Sequence, residues 1–298
     1  MPIKIILLLL LFSLNSMPLL VHAQEAKIDP SRVKWSSLHY KTYIVFFSMK
    51  VKVQLKQISQ AASQAALLTP KQGLGTMPQA DPTYRIDLDS KIMGRKSFIS
   101  LWFDPNGNAF QRTQTDTGSK QRVKTYRILQ DGYYSHETKP TENEQDLPPS
   151  KWTQVGEGSK TFNKMPRAGA IVAEPTALYY LVSASHLNKP GDKFQEYIFT
   201  KHGIYQLNLH AVDYKEIETD YVLRQDGKKQ KSQGEYKTLH IRMNAVPIDP
   251  SASDGFDFLG LKGDIDLYMD PTTRVLLQIS GKADIIGHTD ITLKEVVF

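Results

Sequence analysis

The chain of 298 residues contains no cysteine. That single absence excludes disulfide staples, zinc–thiolate centres, iron–sulfur clusters and a cysteine nucleophile. Other chemical signatures are missing as well. No Gly-x-Ser-x-Gly marks a nucleophile elbow. Gly73-Leu74-Gly75 lacks the Lys-Ser/Thr that a phosphate cradle needs, and there is no dinucleotide fingerprint. The histidines are His22, His39, His136, His186, His202, His210, His240 and His288, and no pair has metal-ligand spacing. There is no strong internal repeat and no low-complexity tract. Beyond the N-terminal segment no apolar run reaches the roughly 20 residues of a membrane span. The net charge of +6 is mild for the length and too diffuse for a nucleic-acid partner. The sequence thus carries no catalytic residue, no metal site and no cofactor motif, and a non-enzymatic protein is expected.

The N-terminus carries the clearest positive signal. Lys4 gives a basic start, Ile5–Phe12 is uninterruptedly apolar, and apolar character resumes at Met17–Val21. Val21-His22-Ala23 places small residues at the −3 and −1 positions of a cleavage site. This is the order of a secretory signal peptide, with cleavage expected after Ala23. An uncleaved anchor is the alternative, but Ser13, Asn15, Ser16 and Pro18 interrupt the run. No cysteine stands at the cleavage point to take a lipid, and no Arg-Arg pair precedes the apolar stretch. The expectation is a periplasmic protein of residues 24–298, not membrane-spanning after cleavage.

Strand periodicity dominates that mature chain. From Tyr43 to Leu55 the odd positions are apolar, and from Ser48 to Lys56 the even ones are polar. A helix would scatter such a pattern around its axis. The alternation recurs at Tyr205–Ala211, Leu239–Met243, Ile265–Met269, Val275–Ile279 and Ile291–Val297. One-sided burial of this kind belongs to antiparallel sheets. Turn chemistry agrees at Asp104-Pro105-Asn106-Gly107, Asp226-Gly227 and Asp270-Pro271-Thr272-Thr273. Roughly ten to twelve strands are expected. Glu174-Pro175 opens one helix over Thr176–His186, with Leu178, Leu181, Val182 and Ser185 on one face. Ser59–Leu68 is either a second helix or part of a mobile Gly/Pro-rich insertion over about residues 59–82. Lys139–Lys151 reads as an exposed loop. The predicted fold class is mainly β: one domain built as a large curled antiparallel sheet or half-open β-barrel around one packed helix.

Three polar groups have plain structural readings. His210 and His240 could meet across two strands, but read as solvated strand histidines. Asp264, Asp266 and Asp270, with Asp254 and Asp257 nearby, read as a solvated sheet face, because a straight strand cannot wrap a calcium ion. Lys50, Lys52 and Lys56, and Lys228, Lys229 and Lys231 at a hairpin tip, protect sheet edges and keep the protein soluble. Their functional alternative is contact with anionic lipid headgroups or an envelope partner.

The C-terminal half resembles an uncharacterised periplasmic family catalogued as domain of unknown function 3108. The resemblance rests on Glu174-Pro175-Thr176-Ala177-Leu178-Tyr179-Tyr180-Leu181, on Lys189-Pro190-Gly191-Asp192-Lys193-Phe194, on Asp270–Gly281 and on Gly287–Val297. It is weaker over Tyr40–Val53. It implies an exported β-rich protein with a LolA-like outline, similar to half-barrel carriers that shuttle lipoproteins or lipids. It supplies no functional residues. The expected function is to bind a lipid, an acyl chain or another hydrophobic ligand in an apolar groove. The inward set Phe47, Met49, Val51, Leu207, Leu209, Ile265, Leu267 and Met269 forms the candidate binding surface. The alternative is an envelope structural or interaction module with a filled core, binding an envelope protein through loops and sheet edges.

Overall fold

A computed structural model describes residues 28–44, 47–92, 94–167, 170–250, 255–284 and 287–298. The expected signal segment and Asp254 lie outside the described residues. The N-terminal half forms β1 (Ser37–Ile44), β2 (Phe47–Ile58), α1 (Gln60–Ala66), β3 (Thr83–Ile92), β4 (Arg95–Phe103), β5 (Ala109–Thr117), β6 (Arg122–Ile128), β7 (Gly132–Lys139) and β8 (Gln154–Thr161). The C-terminal half forms β9 (Val172–Ala173), α2 (Leu178–Ala184), β10 (Lys193–Phe199), β11 (Ile204–Gln225), β12 (Lys228–Pro247), β13 (Asp257–Phe258), β14 (Leu261–Met269), β15 (Leu276–Ala283) and β16 (Gly287–Val297). The chain is mainly β, as the alternation predicts, but its described residues form 16 strands in one sheet rather than the roughly ten to twelve expected.

The sheet runs β8-β7-β6-β5-β4-β3-β2-β1-β16-β15-β14-β12-β11-β10-β9. Nearly every pairing is antiparallel; β9 with β10 and β11 with β16 are parallel. The second of these closes a ring. Residues 222–224 of β11 pair with 295–297 of β16, so β11, β12, β14, β15 and β16 form a continuous circuit. Register shifts at His39/Tyr40, Trp102/Phe103 and Ala211/Asp213 help the sheet to curl, since a bulge bends its strand and raises the local twist. The long β11–β12 hairpin turns at Asp226 (φ 51°) and Gly227 (φ 74°), the two left-handed residues of a two-residue hairpin loop.

The helix sits inside the curl. It is shorter than predicted: a 3-10 turn at Pro175–Ala177 leads into α2, whose chain turns extended at Ser185. Every residue of α2 is buried, not one face only. The sheet wraps the helix, so no side of it meets water. Tyr40 of β1 packs on Tyr179, and Tyr84 and Phe103 pack on Tyr180. Each such buried side chain contributes about 1.5–3 kcal/mol through its apolar area. Gly107 (φ +98°) ends the β4–β5 turn against the helix; a Cβ there would lie 2.6 Å from Leu181 Cδ2.

Two adjacent helix residues give opposite expectations. Tyr180 Oη donates to the Pro105 carbonyl at 2.6 Å, whereas Tyr179 Oη is buried without a hydrogen-bond partner among the described residues. A lost hydrogen bond and a relieved desolvation penalty are each worth about 1 kcal/mol. Tyr180→Phe should therefore lower stability by about 1 kcal/mol, and Tyr179→Phe should leave it unchanged or raise it. Urea unfolding of the two variants checks this; equal losses from both would contradict it.

The Gly/Pro-rich stretch after β2 is tied down. Ser59 caps α1 by accepting from the Ala62 amide. Arg127, buried on β6, donates to the carbonyls of Leu68 and Thr76. Gln111 accepts from the Leu68 amide and donates to the Ala66 carbonyl. The 139–151 segment is largely exposed and holds two short 3-10 turns.

Candidate functional site

Between the sheet and the segments that cross its concave side lies a cavity of about 860 Å³. That volume is in the range of small-molecule sites. Its floor is the inner face of β2 to β6, with Met49 and Val51 on β2, Ser90 opposite Val51 on β3, and Leu88 of β3 opposite Ile99 of β4. Its roof is made by the turn after β10, the start of the 3-10 turn before α2, and the chain around β13, which brings Phe199, Phe258 and Leu259 over the space. The inner face is apolar under the helix and becomes polar toward β6.

Arg112, Arg122, Lys124, Lys201 and Lys262 line the cavity, against the carboxylates of Glu174 and Asp257. Some of this charge is neutralised in the wall. Arg112 Nε lies 2.9 Å from Glu174, whose other oxygen accepts from the Thr176 amide and so fixes the 3-10 turn. Arg122 pairs with Asp116 at 2.8 Å and with Glu137 at 3.4 Å, and Lys262 pairs with Asp284. Lys124 rests over the Tyr126 ring at 5.1 Å. Neither Lys124 nor Lys201 enters an ion pair among the described residues. The net result is a cavity with an apolar floor and two ammonium groups at its polar side, of which Lys124 also feels the carboxylate of Glu137 opposite it on β7.

Asp116 anchors that polar wall. Burial works to raise its pKa, but hydrogen bonds from Arg122, Gln114 and Arg95 outweigh it and bring the carboxyl down to about 2. A carboxyl depressed on folding stabilises the protein above its unfolded pKa of about 4, and that contribution is lost as pH falls through the folded value. The urea midpoint should therefore fall between about pH 4 and pH 2. Asp116→Asn should flatten that part of the profile; an unchanged slope would contradict the assignment.

The structure divides the sequence-predicted binding residues. Met49 and Val51 line the cavity. Leu207, Leu209, Ile265, Leu267 and Met269 are buried in the packed part of the core and do not line it. Phe47 belongs to β2, and its side chain lies outside the described residues. Sequence reasoning passed over Arg112, Gln114, Arg122 and Lys124, because polar residues on an inner face break the apolar alternation. Their signal was a strand-like segment whose alternation has no apolar side.

The histidine reading needs correction. His240 is buried, not solvated: Nδ1 is 2.9 Å from Asp213 and Nε2 is 2.8 Å from Asp266, and the ring stacks on Tyr268. His210 is exposed and stands opposite Arg242, not His240. The acidic group is split accordingly: Asp264 is exposed, while Asp266 binds His240 and Arg242. Burial pushes Asp266 up, but these two partners hold its carboxyl below the ordinary range. With both imidazole nitrogens engaged by carboxylates, this triad pins β11, β12 and β14 together. Lys56 is likewise not a lone surface charge; it pairs with the buried Asp87 at 2.8 Å. No group of three or more metal-ligating side chains converges among the described residues, and none of the helices there is long and apolar enough to cross a membrane.

Comparison of the chain with protein-family models, with curated proteins and with solved structures finds no match.

Proposed function

We propose that the protein is a non-enzymatic exported carrier that holds an anionic amphiphile, such as a fatty acid or an acidic lipid, in the cavity beneath its sheet. The observation that supports this most directly is the pairing of an apolar floor at Met49, Val51, Leu88 and Ile99 with the ammonium groups of Lys124 and Lys201 at the polar side. An acyl chain gains from the floor in proportion to the apolar area it removes from water. A carboxylate or phosphate gains a charge-assisted hydrogen bond from an ammonium at the cavity wall. Export and the periplasmic family resemblance are part of the proposal: a soluble carrier is what moves such molecules through an aqueous compartment. The ligand-binding surface of this reading differs from the purely apolar set inferred from periodicity.

The test is titration of the mature chain with a fluorescent fatty acid, together with native mass spectrometry of protein purified from the envelope. Saturable binding, or a co-purifying lipid mass, is expected. Lys124→Glu should weaken fatty-acid binding about ten- to a hundred-fold, the worth of a hydrogen bond to a charged group. A fatty alcohol of equal length should bind more weakly than the acid. A protein that takes up neither, and emerges as a bare chain after incubation with envelope lipids, would refute the carrier reading.

The alternative, an envelope interaction module, draws on β8. All eight of its residues are exposed, and it ends the sheet with an open edge. Such an edge can accept a strand from a partner.

A further inference from the structure

On the outer face of the sheet, four lysines stand in a single cross-strand row. Lys41 of β1 lies opposite Lys50 of β2, Lys50 opposite Lys91 of β3, and Lys91 opposite Lys96 of β4. Strands lie about 4.8 Å apart, so the row extends for about 14 Å. Like charges placed directly opposite destabilise a sheet. Elsewhere on the same face the protein avoids this: Lys56 and Arg85 flank the carboxylate of Asp87. Three lysines of the row have no such relief. Lys50, Lys91 and Lys96 are exposed and enter no ion pair among the described residues. Lys52 and Lys294 border the same shallow groove, where Asp89 is the only carboxylate among the described residues that line it. Lys50, Lys91 and Lys96, three aligned cations without interleaved acids, cost stability in the free protein, and an external anion would offset that cost.

We infer that this lysine row is a docking surface for an anionic lipid bilayer. Two observations favour a bilayer over a compact anion. The ammonium groups are spread along a line across four strands and do not converge on one point, which suits separate headgroup phosphates in a plane. The neighbouring row, His39, Lys52, Asp89 and Phe98, ends in a large apolar side chain that is 44% exposed. An exposed aromatic beside lysines matches the boundary between headgroups and acyl chains. The surface is distinct from the cavity, which opens on the other face of these strands, so the inference stands whether or not the carrier proposal holds.

The experiment is co-sedimentation of the full mature chain with vesicles of phosphatidylcholine alone or with about one-third phosphatidylglycerol. Binding to the anionic vesicles only is expected, weakening as salt rises and shortens the screening length. Lys50→Gln combined with Lys91→Gln should reduce binding about thirty-fold, from about five-fold per lysine at an anionic surface. The same double variant should unfold at a higher temperature than the parent, because it removes repulsion. A merely structural role would give the opposite sign. Lys228→Gln, Lys229→Gln and Lys231→Gln together remove more charge at the hairpin tip and should leave binding within about two-fold, if position and not net charge matters. Equal losses from the two sets, or no selectivity for anionic vesicles, would overturn the proposal. So would preference for soluble heparin over vesicles at equal salt, with Phe98→Ser leaving vesicle binding intact, because the occupant would then be a polyanion in solution.

Discussion

Arg274→Met should cost about 3–5 kcal/mol of stability, the range found when one member of a buried charged network is removed. The residue follows the Asp270–Thr273 turn with φ at +61°, a left-handed conformation unusual for a side chain of this size. It is buried, and its guanidinium reaches back to the end of α2. Nε donates to the Ser183 carbonyl at 2.7 Å, Nη1 to Leu187 at 2.8 Å, and Nη2 to Ser185 at 2.8 Å and Val182 at 3.2 Å. A helix ends with carbonyls that have no partner within it. Here those carbonyls are enclosed by the sheet, where water cannot serve them. The guanidinium satisfies several of them at once and places a positive charge where the helix dipole favours one. Burial brings its pKa down to about 10, so it remains charged at neutral pH. Removing it leaves buried carbonyls unpaired, each at a cost of about 1–3 kcal/mol before relaxation. Arg274→Lys should lose less than methionine but still more than about 1 kcal/mol, because one ammonium cannot reproduce the planar fork. Urea denaturation measures both, and a loss below about 1 kcal/mol for Arg274→Met would show that the helix end is served in another way.

That network explains what was and was not legible in the sequence. The turn at Asp270-Pro271-Thr272-Thr273 could be read directly, because its chemistry is local. The role of Arg274 could not, since its partners lie 87 to 92 residues away. The strands were clearest where one face packs against the core and the other meets water, as in β2, β12 and β14. They were faint in β5 and β6, where the inner face carries Gln114, Arg122 and Lys124 instead of apolar residues. The same physics concealed the cavity. Apolar alternation marks a face that is filled, whereas a face that borders an amphiphilic space mixes residue types. His240 was concealed for a related reason. Its polar position predicted solvent, and only the curl of the sheet brings Asp213 and Asp266 to its two nitrogens.

Ile99→Trp and Leu207→Trp should separate the filled core from the open one. Both residues point to the concave side of the sheet, and both would be read as inward by alternation. Ile99 is half-buried and lines the cavity. An indole there extends into existing space, so the fold should survive with a change in stability under about 1.5 kcal/mol. Fatty-acid binding should fall more than ten-fold, because the ring occupies the volume that an acyl chain needs. Leu207 has no exposed surface and sits in close-packed core. An indole there has nowhere to go without moving neighbours, and overpacking of that kind costs about 1–3 kcal/mol or more. Parallel urea unfolding and fluorescent fatty-acid titration of the two variants measure this contrast. If Ile99→Trp folds and still binds as the parent does, the ligand lies elsewhere and the cavity is not the site. If Leu207→Trp keeps its stability, that part of the interior can yield, and the ligand-holding space reaches further under the sheet than the cavity beside Ile99.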